Sequence, residues 1–308
     1  MKPQIYCLLR KRNNDCWKSM VMKAKGKAVL LVFLVFVCFG LAAVHASTVY
    51  ITADNLTGTN LFGTLDVASG QFNQIASTGP VFLGLTTGPG GKIYGADANS
   101  GHLFTISSSG ATKQYGSVTA PSAFYGLAYS HSAGNFFADN LDPMNVTLYS
   151  ITGDGNSSSL VGQIAGPNSG YFPTGNLAFG SGGNLYFNYS SDLANGGANS
   201  TLYSVNTSTG ALTAVGSGLG CDILALFSDG NALYGIDANV TSGIGVFRID
   251  TTTGVATQVS TVTGLPGGDS FYVDAATVST PDAGFTLALF IFALAPLLGK
   301  RKPSPPLP

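Results

Sequence analysis

The chain has 308 residues, of which 45% are apolar, and this is enough for one large all-β domain or two smaller domains with a packed core. Only 9% of the residues are charged, against roughly 25% in an average soluble domain, so a cytosolic helical enzyme is a poor description. The net charge of -1 divides into +7 before residue 47, -11 over residues 47–299 and +3 in the last nine residues. This acidic central region, which contains Asp but no Glu, excludes nucleic acid as a natural partner and favours cations or neutral glycans.

An apolar run near the N-terminus, residues 28–44, follows a basic stretch and has the character of a signal-peptide core. Small residues precede the junction between Ala46 and Ser47, so we predict cleavage there and export of the remainder. A start at Met22 would give a leader of ordinary length, and we interpret residues 1–21 as a start-site artefact or an extension. The alternative is an uncleaved membrane anchor, because the run at residues 28–44 is near the lower limit of about 17 apolar residues for a membrane span.

Two sequence motifs alternate through the middle of the chain. The first occurs as LFGTLDVASG, LFTISSSG, LYSITGDG, LYSVNTSTG and VFRIDTTTG, with repeats beginning 42 to 54 residues apart. The second occurs between them as FLGLTTGPGGKIYGAD and its variants. Short alternating strands at this period, joined by glycine-containing turns, are typical of a β-propeller with four strands per blade. Gly210 and Gly254 are expected to have positive φ in the hairpin turns T-S-T-G and T-T-T-G.

The two ends of residues 47–279 predict how the ring closes. The last unit offers one strand, around residues 269–278, and the mature N-terminus begins with a strand that lacks its partner. Pairing them predicts an all-β, five-bladed propeller without a bare edge, with apolar helices outside the domain. The phrases GLAF, LYGAD and LYSID resemble NHL-type propellers, and this resemblance implies that the GLAF-type strand is innermost. A six-bladed ring with a divergent blade in residues 165–200, or a β-solenoid, remains an alternative.

The C-terminal segment, residues 280–308, contains TPDAG, an apolar stretch at 285–299, and a basic cluster. This order resembles the C-terminal sorting signals of the PEP-CTERM class, in the VPDSG-type variant. Three residues match that motif as they stand: Pro281, Asp282 and Gly284. The basic stop consists of Lys300, Arg301 and Lys302. The resemblance implies a bacterial envelope protein that is held in the membrane by this helix and then cut by an exosortase-like protease; a permanent C-terminal anchor is the alternative.

One rim of the predicted ring collects polar and aromatic residues. Carboxylates follow the second strand of several blades and suggest Ca²⁺ ligands: Asp54, Asp97, Asp139 and Asp237. Residues in the loops that lead into the inner strands could contact a ligand such as a sugar: Tyr125, Tyr171, Phe172, Asp222 and Asp269. The alternative is that each Asp forms a turn by bonding its own backbone. Apart from possible Ca²⁺, the sequence predicts no cofactor.

Catalytic signals are weak. His102 and His131 lie in turn-like segments and are expected to be solvated, and Cys221, the one cysteine after residue 46, is expected to be a small buried hydrophobe. We therefore expect an exported, non-catalytic surface or matrix propeller that binds a polysaccharide, a cation or an envelope protein, with signal peptidase and exosortase as processing partners. The alternative is an extracellular polysaccharide hydrolase or lyase that uses rim Asp residues, since the chain has no Glu.

Overall fold

The computed structural model describes residues 47–54, 60–118, 124–140, 146–164, 176–189, 200–237, 243–265 and 272–279. All of them belong to one compact unit, Ala46–Thr280. The predicted signal peptide and the predicted sorting signal lie outside the described residues. In the part of the chain that is described, no helix has the length and apolar character needed to span a membrane.

Twenty strands form five four-stranded antiparallel sheets, which are the blades. The innermost strands are β4 (Phe82–Thr87), β8 (Phe124–Ser130), β12 (Asn176–Phe179), β16 (Ile223–Asp229) and β20 (Tyr272–Ser279). The second strands are β1 (Ser47–Asp54), β5 (Ile93–Asp97), β9 (Asn135–Asn140), β13 (Leu185–Tyr189) and β17 (Ala232–Asp237). The third strands are β2 (Asn60–Leu65), β6 (Leu103–Ile106), β10 (Thr147–Thr152), β14 (Thr201–Val205) and β18 (Gly245–Ile249). The outer strands are β3 (Phe72–Ser77), β7 (Thr112–Gln114), β11 (Ser158–Gln163), β15 (Leu212–Val215) and β19 (Ala256–Thr261).

The blades are numbered 1 to 5 from the one that contains β1. Blade 1 has the order β20-β1-β2-β3, so it takes its inner strand from the end of the domain and its other three strands from the beginning. Each of the other blades consists of four consecutive strands. The inner strands contact one another in a closed cycle, β4 to β8 to β12 to β16 to β20 and back to β4. The five blades therefore surround one central channel.

An apolar cluster fills each interface between neighbouring blades. Phe62 and Ala276 of blade 1, for example, pack against Phe82, Leu85 and Ile93 of blade 2. Equivalent clusters join blades 2 and 3, 3 and 4, 4 and 5, and 5 and 1. The outer strands, by contrast, are largely exposed. Since the ladders and all five clusters lie within residues 47–279, this stretch contains a complete closed domain.

The hairpin turns follow the local chemistry that the sequence predicts. Gly210 and Gly254 have φ of 75° and 70°, as expected. In the turn before Gly254, Oδ1 of Asp250 accepts hydrogen bonds from the N–H groups of Thr252 and Thr253 at 2.8 and 3.0 Å. These bonds lower the pKa of the Asp250 carboxyl below its usual value. The side chain thus holds the turn while glycine supplies the left-handed backbone conformation.

The predicted architecture is confirmed in its main points. The described residues form five blades of four strands, the GLAF-type strand is innermost, and β1 pairs with β20 along its whole length. Neither a six-bladed ring nor a β-solenoid describes this arrangement.

Candidate functional site

A cavity of about 530 Å³ opens at the rim where the inner strands end, and we call this the exit rim. Its walls come from the last residues of all five inner strands and from the turns that follow four of them. This volume lies within the range of about 300–1,000 Å³ found for small-molecule sites. The sequence had pointed to the opposite rim, where the inner strands begin.

The lining of the exit-rim cavity combines rings and hydroxyl groups. Four aromatic side chains take part: Tyr129, His131, Phe179 and Phe227. The imidazole of His131 meets the ring of Tyr129 edge-on, with centroids 5.0 Å apart. None of the described residues that line the cavity is Asp, Glu, Lys or Arg.

Most lining hydroxyls already have partners. Oγ1 of Thr86 accepts from the N–H of Tyr129 at 3.1 Å, and the hydroxyl of Ser228 donates to the carbonyl of Phe179. Thr277 differs, because its buried Oγ1 has no hydrogen-bond partner among the described residues. That oxygen has almost no exposed surface, so the hydroxyls that a ligand can reach are those of exposed lining residues such as Ser132.

Directly below the cavity floor lies a level at which one residue of each inner strand is adjacent to one residue of the second strand of the same blade. We call this level the axial tier. It is fixed by register: Asp274 pairs with Thr52, Gly84 with Ala96, Asn176 with Asn188, and Ala225 with Ile236. In blade 3, the N–H of Gly126 donates to Oδ1 of Asp139 at 2.5 Å. Blades 2 and 5 are thus apolar at this level, whereas blades 1, 3 and 4 carry buried polar side chains.

Two polar side chains of the axial tier, those of Asp274 and Asn176, come together across the channel. The Asp274 carboxylate accepts from the N–H groups of Leu85 and Ala275, which both line the cavity floor. The Asn176 amide donates to Asp274 and also to the carbonyl of Leu224, the latter at 2.9 Å. Blades 4 and 1 are not neighbours in the ring, so the contact between Asn176 and Asp274 must cross the channel.

Burial governs the electrostatics of the two carboxyls. Asp139 and Asp274 are 0% and 1% exposed. Loss of solvent raises the pKa of Asp139 to about 7, although the hydrogen bond from Gly126 opposes this rise. Burial also raises the pKa of Asp274 well above its usual value, and the nearby charge of Asp139 adds to the increase.

The four carboxylates predicted to bind Ca²⁺ do not meet. Asp54, Asp97 and Asp237 end the second strands of three different blades. The carboxylate of Asp97 holds its own turn and neighbouring backbone, because it accepts from the N–H groups of Val81, Asn99 and Ser100 and from the Ser100 hydroxyl. No group of three or more His, Cys, Asp or Glu suited to a metal ion occurs among the described residues.

The sequence-based prediction that Asp139 lies in a loop on the entry rim, where the inner strands begin, is wrong. Asp139 lies inside β9, and the following residue, Asn140, pairs with Phe124 as Asp97 pairs with Phe82. Because side chains alternate along a strand, this shift by one residue turns Asp139 into the interior.

The entry rim is described only in part. Tyr125 is half-buried, and Asp222 is buried, with its Oδ1 accepting from the hydroxyl of Ser200 at 3.2 Å. Tyr171, Phe172 and Asp269 lie outside the described residues, so the predicted ligand rim stays a prediction.

The histidines and the cysteine divide between right and wrong expectations. His102 is half-buried, with Nδ1 3.0 Å from the carbonyl of Val118, so it is not the solvated residue we predicted. His131 is exposed in a turn, as predicted, although its ring also contacts Tyr129. Cys221 is a buried free thiol, as predicted. Burial first, and then the charges of Asp237 and Asp222, raise the pKa of Cys221 to about 12.

A second cavity, of about 820 Å³, lies between the peripheral parts of blades 4 and 5. Arg248 and Asp250 line it, but Asp250 already caps its own turn. Among the described residues, those of all five blades contribute to the exit-rim cavity and to the axial tier, which form the stronger candidate.

No known protein family and no curated protein matches the chain. Among solved structures, a chain of a nidogen/laminin complex is 13% identical, with 76% of this chain and 98% of that chain covered and a TM-score of 0.47. TolB from Acinetobacter baumannii is 13% identical, covering 76% of this chain and 58% of that chain with a TM-score of 0.49. Streptogramin B lyase is 18% identical, covering 70% and 74% with a TM-score of 0.40. These similarities are low, so the fold rests on the strand pairing, and no ligand or activity of those proteins follows for this chain.

Proposed function

We propose that the protein is exported to the bacterial cell envelope or matrix and binds a neutral polysaccharide there without turning it over. The observation that carries this proposal is the exit-rim cavity, whose lining has aromatic rings and hydroxyl groups but no side chain of Asp, Glu, Lys or Arg. Neutral sugars present apolar ring faces that pack on aromatic side chains, and hydroxyl groups that pair with exposed hydroxyls such as that of Ser132. An ionic ligand would find no counter-charge among the described lining residues.

The export part of the proposal is supported by the match between domain boundaries and processing signals. β1 begins at Ser47, directly after the proposed signal-peptidase site at Ala46. β20 ends at Ser279, two residues before Pro281 of the motif that resembles an exosortase signal. In this proposal the domain is complete after both processing steps, since neither strand would be shortened.

The hydrolase or lyase alternative has less support. Most glycosidases use a pair of carboxyl groups that flank the scissile bond. The described lining of the exit-rim cavity contains no carboxyl group, and the buried Asp139 and Asp274 have almost no exposed surface with which to touch a sugar.

A glycan array probed with labelled residues 47–279 tests the proposal. We expect binding to neutral oligosaccharides, with acidic ones bound more weakly because the domain itself is acidic. Chromatography of the bound oligosaccharide after prolonged incubation should show no new product. Release of shorter or unsaturated sugars would contradict the non-catalytic role, and binding confined to charged glycans would contradict the choice of ligand.

A further inference from the structure

The axial tier departs from the repeat in a specific way. At the inner-strand position, blades 2, 3 and 5 have Gly84, Gly126 and Ala225, whereas blades 1 and 4 have Asp274 and Asn176. At the paired second-strand position, Ala96 and Ile236 in blades 2 and 5 correspond to Asp139 in blade 3. Small or apolar residues therefore suffice to fill this level, and the buried carboxylates are not needed for packing.

The two carboxylates lack a basic partner. The described residues contain three lysines or arginines, and all of them are exposed: Lys92, Lys113 and Arg248. An ionised carboxylate that is removed from water without a counter-charge costs several kcal/mol by order of magnitude, and here two of them lie close together. Either protons, which the raised pKa values of both carboxyls favour, or a bound cation must offset this charge.

One buried oxygen atom indicates that a bound ion could lie in the axial tier. Oδ2 of Asp139 is fully buried, and it has no hydrogen-bond partner among the described residues. Asp139, in blade 3, influences Asp274, in blade 1, although blade 2 separates these blades in the ring. Gly84 and Gly126 bring no side chain into the space between them. The vacant acceptor of Asp139 and the carboxylate of Asp274, which accepts from the Asn176 amide, thus lie near each other across the channel.

We infer that the axial tier binds one divalent cation of the Ca²⁺ class, with Asp139 and Asp274 as its charged ligands. The two carboxylates offer oxygen ligands, which hard cations such as Ca²⁺ prefer, whereas the Asn176 amide donates to Asp274 and holds that carboxylate in place. Ca²⁺ needs six to eight oxygens, so water and main-chain carbonyl groups complete its shell. The ion joins blades 1 and 3, which share no interface, and it therefore stabilises the ring from the centre.

Metal analysis and thermal unfolding of residues 47–279 test this inference. After gel filtration from 1 mM CaCl₂, mass spectrometry should find about one Ca²⁺ per chain, and EDTA should lower the melting temperature. Parallel samples in MgCl₂ and MnCl₂ establish which ion binds most tightly. The variants D139N and D274N should each lose at least about 100-fold in Ca²⁺ affinity, since each loses a charged ligand. The matched control D250N, whose carboxylate caps an exposed turn, should bind Ca²⁺ as the unaltered domain does.

Two results would overturn the inference. One is a folded, unaltered domain that takes up no Ca²⁺, Mg²⁺ or Mn²⁺, which would show that a proton or water satisfies the pair. The other is Ca²⁺ uptake that D139N and D274N leave unchanged, which would place the ion elsewhere. Uptake by the unaltered domain remains informative even if a variant fails to fold. Glycan binding is measured separately, so failure here leaves the proposed function untouched.

Discussion

Ser47 pairs with Ser279 across the antiparallel ladder between β1 and β20, so the first and last described residues of the domain meet in one blade. The ladder runs through eight residue pairs to Asp54 and Tyr272. Both ends of residues 47–279 therefore lie at the exit rim, two residues along the strand from Thr277 of the cavity or from its partner Val49.

This closure predicts that the last strand is indispensable. A fragment of residues 47–268, which lacks β20, should lose cooperative unfolding and aggregate, because it exposes the edge of β1 and the apolar faces of blades 2 and 5. Residues 47–279 serve as the control, and circular dichroism with thermal melting measures both. Cooperative melting of the short fragment at the same temperature would show that the ring does not depend on this pairing.

The packing between blades predicts that two leucines of blade 3 contribute very differently to the free energy of unfolding. Leu148 on β10 is 0% exposed in the cluster between blades 3 and 4, whereas Leu160 on β11 is 63% exposed. Leu148→Ala should cost about 2–5 kcal/mol in the free energy of unfolding, as buried leucines do. Leu160→Ala should cost less than about 0.5 kcal/mol. Urea denaturation measures both values, and equal losses would argue against the packed interface.

Substituting alanine for two glycines with positive φ tests how closely neighbouring blades pack. Alanine in the left-handed region costs about 1–2 kcal/mol, and Gly230→Ala should lose that much because the space around it is open. Gly254→Ala should lose more, since its Cβ would lie 2.0 Å from the carbonyl oxygen of Val215 in blade 4. Chemical denaturation compares the two variants. If Gly254→Ala were no worse than Gly230→Ala, the turn of blade 5 would not pack against blade 4 as described.

The raised pKa of Cys221 predicts an inert thiol. A thiol with a pKa of about 12 has roughly 1,000-fold less thiolate at pH 8 than an ordinary cysteine with a pKa of about 8.5. Residues 47–279 should therefore react with a thiol reagent at least that much more slowly when folded than in urea, with burial slowing the reaction further. The rate of reaction should rise with pH for as long as the domain remains folded. Rapid labelling of the native domain at pH 8 would contradict the buried position.

The proposed export predicts the ends of the mature chain. Mass spectrometry of protein recovered from the envelope or medium should find an N-terminus at Ser47 and a C-terminus close to the motif at Pro281 to Gly284. A peptide that reaches Pro308 in the exported form would contradict exosortase-type processing, and a peptide from residues 28–44 would contradict signal cleavage.

The fold was predictable because its signals are local and repeated. Glycines in the hairpin turns, such as Gly210 and Gly254, and the alternation of each strand recur in every unit, so errors in one unit are corrected by the others. The pairing of β1 with β20 followed from counting strands. Nothing in the sequence had to specify long-range contacts individually.

The candidate site was predicted less well, because it depends on register and on the geometry of the ring. Asp139 precedes Asn140 in A-D-N, and only the pairing of Asn140 with Phe124 shows which of the two faces the interior. Asp is a common turn residue, but Asp274 lies inside β20, as its third residue. Its position within an apolar strand, where two other blades have Gly84 and Gly126, was the available signal. The exit-rim cavity left no such signal, since its lining residues read as ordinary strand ends.

In the proposed function a neutral sugar binds in the exit-rim cavity, and calorimetric titration of residues 47–279 with a neutral oligosaccharide selected on the array measures this binding. Ser132 is exposed and lines the cavity, whereas Ser108 is exposed in the turn between β6 and β7 and takes no part in it. Ser132→Trp should place an indole in the mouth and weaken binding at least about 10-fold, equivalent to 1.4 kcal/mol or more. Ser108→Trp should bind as the unaltered domain does. Undiminished affinity in Ser132→Trp, with the domain folded, would show that the sugar does not bind in the exit-rim cavity.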